Sequence, residues 1–95
     1  MNRKECLDAA EKCVCGKREQ DYGKVEDNFA VIASLWGAYK RDTTFTAKDV
    51  AVMMALLKVG RIATGTAAED SFVDLAGYAA CACEIATPQV ERRDR

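Results

Sequence analysis

An all-α fold, a four-helix domain that assembles into an oligomeric helical bundle, is the architecture this sequence predicts. Three observations carry that expectation. Apolar residues recur at helical spacing in four separate segments. Only one proline occurs, Pro88, beyond the last of those segments. No stretch alternates apolar and polar residues between turn signals, as a half-buried strand would. Composition agrees, since 95 residues with 49% hydrophobic and 31% charged describe one small globular unit. The sequence places that single domain over residues 3–87 and leaves a charged tail over 88–95.

The first segment, about Arg3 to Gln20, sets Cys6, Leu7, Ala10, Cys13 and Val14 at three- and four-residue intervals, with Glu5, Asp8 and Glu11 on a solvated face. Gly16 weakens its second half and can end it early. Asp21-Tyr22-Gly23 reads as a turn. The second segment, about Glu26 to Lys40, aligns Asn28, Ile32, Trp36 and Tyr39 on one stripe, flanked by Phe29, Ala33 and Leu35; Glu26 and Asp27 suit the positive end of its dipole. Residues 41–45 form a linker. Thr46 then makes an N-cap that Asp49 closes as a capping box. The third segment, Ala47 to about Thr64, is expected to bury Val50, Met53, Met54, Leu57 and Ile62, with Gly65 as its C′ residue. The fourth runs from about Ala67 to Ala86. Its middle, Leu75 to Cys83, has no polar face, so it calls for cover on several sides. Its small residues predict a homo-oligomer contact there.

Charge and residue usage exclude several functions. Fourteen cations against fifteen anions give a net charge of −1, which offers no bulk attraction to nucleic acid or acidic lipid. Histidine is absent, which removes Ser–His and Cys–His pairs and histidine–zinc sites. An odd set of five cysteines, Cys6, Cys13, Cys15, Cys81 and Cys83, together with a start lacking an apolar signal core, points to free thiols in the cytoplasm. Residues two apart on a helix project about 200° from each other, so neither Cys-x-Cys pair suits one metal. The thiols are expected buried or half-buried. No apolar run approaches the about 20 residues of a membrane span.

Chemistry concentrates in the last two segments. Asp70 and Asp74, four apart, share a helix face and together suit a hard cation such as Mg²⁺. Lys58 and Arg61, three apart, share a face of the preceding helix. In a hairpin turning at Gly65, Arg61 falls opposite Asp70 and Lys58 opposite Val73 to Asp74. The same four residues therefore serve either a metal and phosphate site or an ion-pair clasp that fixes hairpin register.

A wider pattern adds to this. The series Asp21-Tyr22-Gly23, Asn28-Phe29, Ile32-Ala33-x-Leu35-Trp36, Asp49-Val50-Ala51-x-Met53-Met54-x-Leu56-x-Lys58-x-x-Arg61 and Asp70-x-x-x-Asp74-x-x-Gly77-Tyr78 resembles a family of small phage and prophage proteins of unknown function. The match covers about residues 18 to 84. More remotely, the final helix pair is similar to the all-α nucleoside triphosphate pyrophosphatases, the MazG-like and dUTPase-like group. That resemblance implies dimeric or tetrameric bundles in which acidic side chains on two helices hold Mg²⁺ and nucleotides are cleaved between the α and β phosphates. Asp70 and Asp74 match the second acidic helix, spaced four apart where the group has three. Lys58 and Arg61 stand where the first acidic helix carries glutamates, so the acidic site is incomplete and the resemblance supports the fold better than the activity.

The functional expectation is thus a cytoplasmic phage-type protein related to the MazG-like group, binding a nucleotide with or without hydrolysing it. Asp70 and Asp74 would bind Mg²⁺, Lys58 and Arg61 would contact phosphate, and Tyr22 would line a base pocket. The rival expectation is a non-catalytic helical interaction module whose Lys/Arg–Asp clasp is purely structural.

Overall fold

The computed structural model describes residues 1–16, 24–42, 44–65 and 68–87, among which four α-helices and no strand occur. Helix α1 spans Arg3–Val14. The Asn2 side chain accepts the Glu5 N–H at 2.8 Å, and the Glu5 carboxylate accepts the Asn2 N–H at 2.8 Å. This capping box satisfies donors that the first turn would otherwise leave bare. It gives Glu5 a task beyond the solvated face expected of it. Cys15 is extended, and Gly16 follows at φ +70°. The helix therefore stops well before Gln20, at the glycine that weakened it.

Helix α2 spans Val25–Lys40. It closes on Arg41 at φ 56°, the only non-glycine residue in the left-handed region among those described. The Arg41 N–H donates to the Ala38 carbonyl at 3.4 Å and the Asp42 N–H to the Gly37 carbonyl at 2.8 Å. These two bonds form a Schellman closure, a position at which glycine is the usual residue. Arg41→Gly should therefore raise stability by about 1 kcal/mol, the left-handed cost less glycine's greater chain entropy. A chemical denaturation midpoint that moves downward would refute this. In the linker the Asp42 carboxylate accepts the Thr44 hydroxyl at 2.6 Å and the Thr44 N–H at 2.9 Å. Those two bonds, the hydroxyl foremost, hold its carboxyl below the ordinary 3.8.

Helix α3 spans Ala47–Thr64 and begins as the sequence requires. Thr46 donates its N–H to Asp49 at 2.9 Å, and its hydroxyl accepts the Asp49 N–H at 3.2 Å. Gly65 ends the helix for a different reason from the one expected. Its φ of −107° is not left-handed. Its N–H donates to the Arg61 carbonyl at 2.7 Å, and a Cβ placed on it would sit 2.7 Å from that same oxygen. Space, not handedness, demands the glycine. Helix α4 spans Ala68–Ala86, with Glu69 and Asp70 in its first turn, where negative charge suits the dipole.

The principal pairing is α3 against α4, the hairpin that carries the candidate site. Helix α2 lies on α3 and touches α4 more lightly, whereas the backbone of α1, among the described helices, runs beside α4 alone. The Met1 amino group sits 3.7 Å from Glu69, and Val14 reaches Gly77, so α1 and α4 run in the same direction. The core joins Phe29, Ala33, Val50, Ala51 and Cys81, with Val50 at 0% exposure. Half-buried Trp36, Phe45, Met54 and Tyr78 pack around it. Phe29 and Tyr78 stand 6.3 Å apart between ring centroids, and Trp36 meets Phe45 edge-on at 6.2 Å. Both separations lie within the range where aromatic pairs attract.

Several expected burials do not occur. Helix α2 faces the core through Phe29, Ala33 and Gly37, and this rotation turns Leu35 outward and leaves Tyr39 86% exposed. Met53 and Leu57 are exposed on α3, because Val50, Ala51 and Met54 already fill the contact with its neighbours. Leu7 and Cys13 face away from α4, the one helix that α1 lies beside. Among the thiols Cys81 is buried and Cys6 half-buried, but Cys13, Cys15 and Cys83 are exposed. The apolar middle of α4 obtains most of its cover within the chain. Gly77 lets Val14 approach so closely that an added Cβ would lie 3.0 Å from its Cγ1. Ala79, Ala80 and Cys83 remain exposed.

Candidate functional site

The α3–α4 hairpin brings one of the two expected cation–anion pairs together. Lys58 Nζ lies 3.0 Å from the Asp74 Oδ2. The two side chains are 19% and 37% exposed, so the lysine is well covered and its partner is open on one side. Sequence position accounts for the meeting. Lys58 precedes Gly65 by about as many residues as Asp74 follows the turn, and helices joined by a short connection place such residues at one level. Arg61 and Asp70, closer to the turn, are both exposed, and no ion pair joins them among the described residues.

This arrangement bears on the metal reading. A hard divalent cation takes about six or more oxygen ligands in its first shell. Asp70 and Asp74 supply two carboxylates from one helix, and one of them already faces an ammonium group. No group of three or more cysteine, aspartate or glutamate side chains is placed to hold an ion among the described residues. The residues present do not complete a cage. What the geometry performs directly is a cross-helix ionic contact at one level of the hairpin. Lys58 and Arg61 leave one cation engaged and one in solvent. Tyr22, the candidate for a base pocket, lies outside the described residues, as do its turn and the 88–95 tail.

The sequence reading overlooked one concavity. Glu11, Lys12, Cys15 and Gly16 line an open hollow of about 560 Å³ at the end of α1. Among the described residues its lining mixes one anion, one cation and a thiol. No periodicity signal announces it, because it forms where the helix stops.

Comparison with known proteins gives this hairpin a family context. Residues 5–86 match the model of a domain of unknown function, DUF6378. The chain belongs to the DUF6378 family. The matched stretch takes in α2, α3 and α4 whole and most of α1, so Lys58, Arg61, Asp70 and Asp74 all fall inside the DUF6378 domain. Gene 55 protein of Mycobacterium phage L5 is 48% identical over 86 residues, covering 90% of this chain and 55% of that protein. Gene 55 protein of Mycobacterium phage D29 is 36% identical over 89 residues, covering 94% of this chain and 58% of that protein. The DUF6378 chain thus corresponds to a little over half the length of these curated relatives. Their source agrees with the phage resemblance carried by the sequence motifs. No solved structure matches the chain. No helix among the described residues is long and apolar enough to cross a membrane.

Proposed function

We propose that this DUF6378 domain is a non-catalytic helical interaction module of a phage protein, held in register by the Lys58–Asp74 clasp. The 3.0 Å contact between those two side chains supports the reading, because it engages one of the two carboxylates that a metal site would need. A covered cation also has reason to keep its partner. Removing one member leaves the other charge poorly solvated, and that penalty exceeds the worth of an exposed pair. On this reading Asp74→Asn and Lys58→Met each lower the melting midpoint, and their double-mutant cycle returns a coupling of about 1 kcal/mol. A coupling of zero would remove the clasp.

A second reading keeps the nucleotide. One observation favours it: Arg61 and Asp70 both stand exposed at the turn end of the hairpin. In this version the domain is a MazG-like relative in which Arg61, with Lys58, contacts phosphate and Asp70 and Asp74 receive Mg²⁺, with Lys58 giving up its carboxylate. Thermal melts of the full chain with Mg²⁺ and a panel of nucleoside triphosphates separate the two. A ligand present at about 100 times its dissociation constant adds about 2.7 kcal/mol. The module reading expects no shift with any of them. A shift that Asp70→Asn abolishes would overturn it in favour of nucleotide binding.

A further inference from the structure

The outward face of α3 carries no charge over about three turns. Val52, Met53, Leu56, Leu57 and Val59 are all exposed there, Leu56 by 62%. Exposed Gly60 and Ala63 continue the stripe toward the helix end. Two features separate this face from ordinary scattered exposure. The first is extent. The five large side chains leave on the order of 450 Å² in water, within the range of the largest and often functional patch on a monomer, and two such faces brought together approach the about 1,000 Å² of a specific interface. The second is Gly60. A glycine inside a helix costs about 0.5–1 kcal/mol relative to alanine. A Cβ built at Gly60 meets nothing within 4 Å among the described residues. Packing among the described residues gives no reason for the missing side chain, whereas the backbone of a helix laid on from outside does.

We infer that α3 pairs with the α3 helix of a second copy of this chain, antiparallel and about a two-fold axis. Met53, Leu56, Gly60 and Ala63 follow the i, i+3, i+7, i+10 seam of a paired helix. The seam is large in its first half and small in its second. In antiparallel register Leu56 faces the partner's Gly60 and Met53 faces the partner's Ala63. The two-fold axis makes each large-on-small contact twice, so the face complements itself. Opposed helix dipoles add to the same orientation. A second copy is the occupant that this size gradient fits. The inference deepens the interaction-module reading and rests on it.

Sedimentation of the full chain at high micromolar concentration tests the pairing. The wild type should show twice the 10.4 kDa chain mass. Gly60→Leu fills the groove but enters open space within a single copy, so it should keep the helical circular dichroism and fall to the mass of one chain. Leu56→Lys, at a residue already in solvent, should do the same. Ala80→Lys, on the exposed remainder of α4, should leave the doubled mass unchanged. A wild type that sediments as one chain overturns the proposal. A doubled mass that survives Gly60→Leu and Leu56→Lys, or that Ala80→Lys alone abolishes, overturns it too. Failure of the pairing is read in mass, whereas failure of the module reading is read in a nucleotide-dependent melt, so the two are distinguishable.

Discussion

Phe29→Ala should lower stability by about 3–5 kcal/mol, the cost of emptying a buried aromatic site. Phe29 is buried at the centre of the core cluster and meets Tyr78 across the α2–α4 contact. Its loss therefore removes burial and an aromatic pair together. Small domains have about 5–15 kcal/mol in all, and a chain of this length sits toward the lower end. The expected result is a broad, low-temperature melt, or a chain without a cooperative transition. Tyr39→Ala on the same helix is the control. With the ring 86% exposed, that variant should stay within about 0.5 kcal/mol of wild type. Equal losses at the two positions would mean that α2 is rotated from the orientation described.

Gly77→Val should cost about 1–3 kcal/mol through overpacking. Its Cβ would sit 3.0 Å from Val14 Cγ1, and the further methyl groups have less room still. The strain falls on the contact between α1 and α4, because Val14 is the neighbour that the added side chain meets. Hydrogen exchange should therefore quicken across Arg3–Val14 while the protected middle of α3 changes less. Val14→Ala in the same chain should restore part of the loss by making room. If the exchange rates of α1 stay at wild-type values in Gly77→Val, the close approach is wrong.

The legible parts of this fold are those governed by neighbours in sequence. Thr46 and Asp49 close their capping box because both partners lie within one turn, and Gly16 halts α1 through its own backbone freedom. Lys58 and Asp74 were also readable, since a short hairpin converts sequence distance from the turn into spatial level. What stayed hidden depends on helix rotation. Tyr39 and Leu35 share apolar character with Phe29 and Ala33, and only the packing of α2 on α3 decides which pair points inward. Met53 and Leu57 fail for the same reason, in a helix whose residues 50–57 are apolar without break. Gly65 shows a subtler miss. Its presence at the helix end was right, but the cause is a crowded carbonyl, which no pattern of residue types reveals. For the site, the cation–anion pairing was legible at Lys58 and Asp74 and failed at Arg61 and Asp70, where both side chains stay in solvent at the turn end of the hairpin.

Among the described helices, α1 leans on α4 alone. Of the four described helices it leaves the ribosome first, yet α4, which receives it, is made after the other three. Until then its apolar edge has nowhere native to go, and α2 with α3 can associate before it does. Assembly of this chain should therefore end with its beginning, and the docking of α1 carries the longest loop closure in the fold.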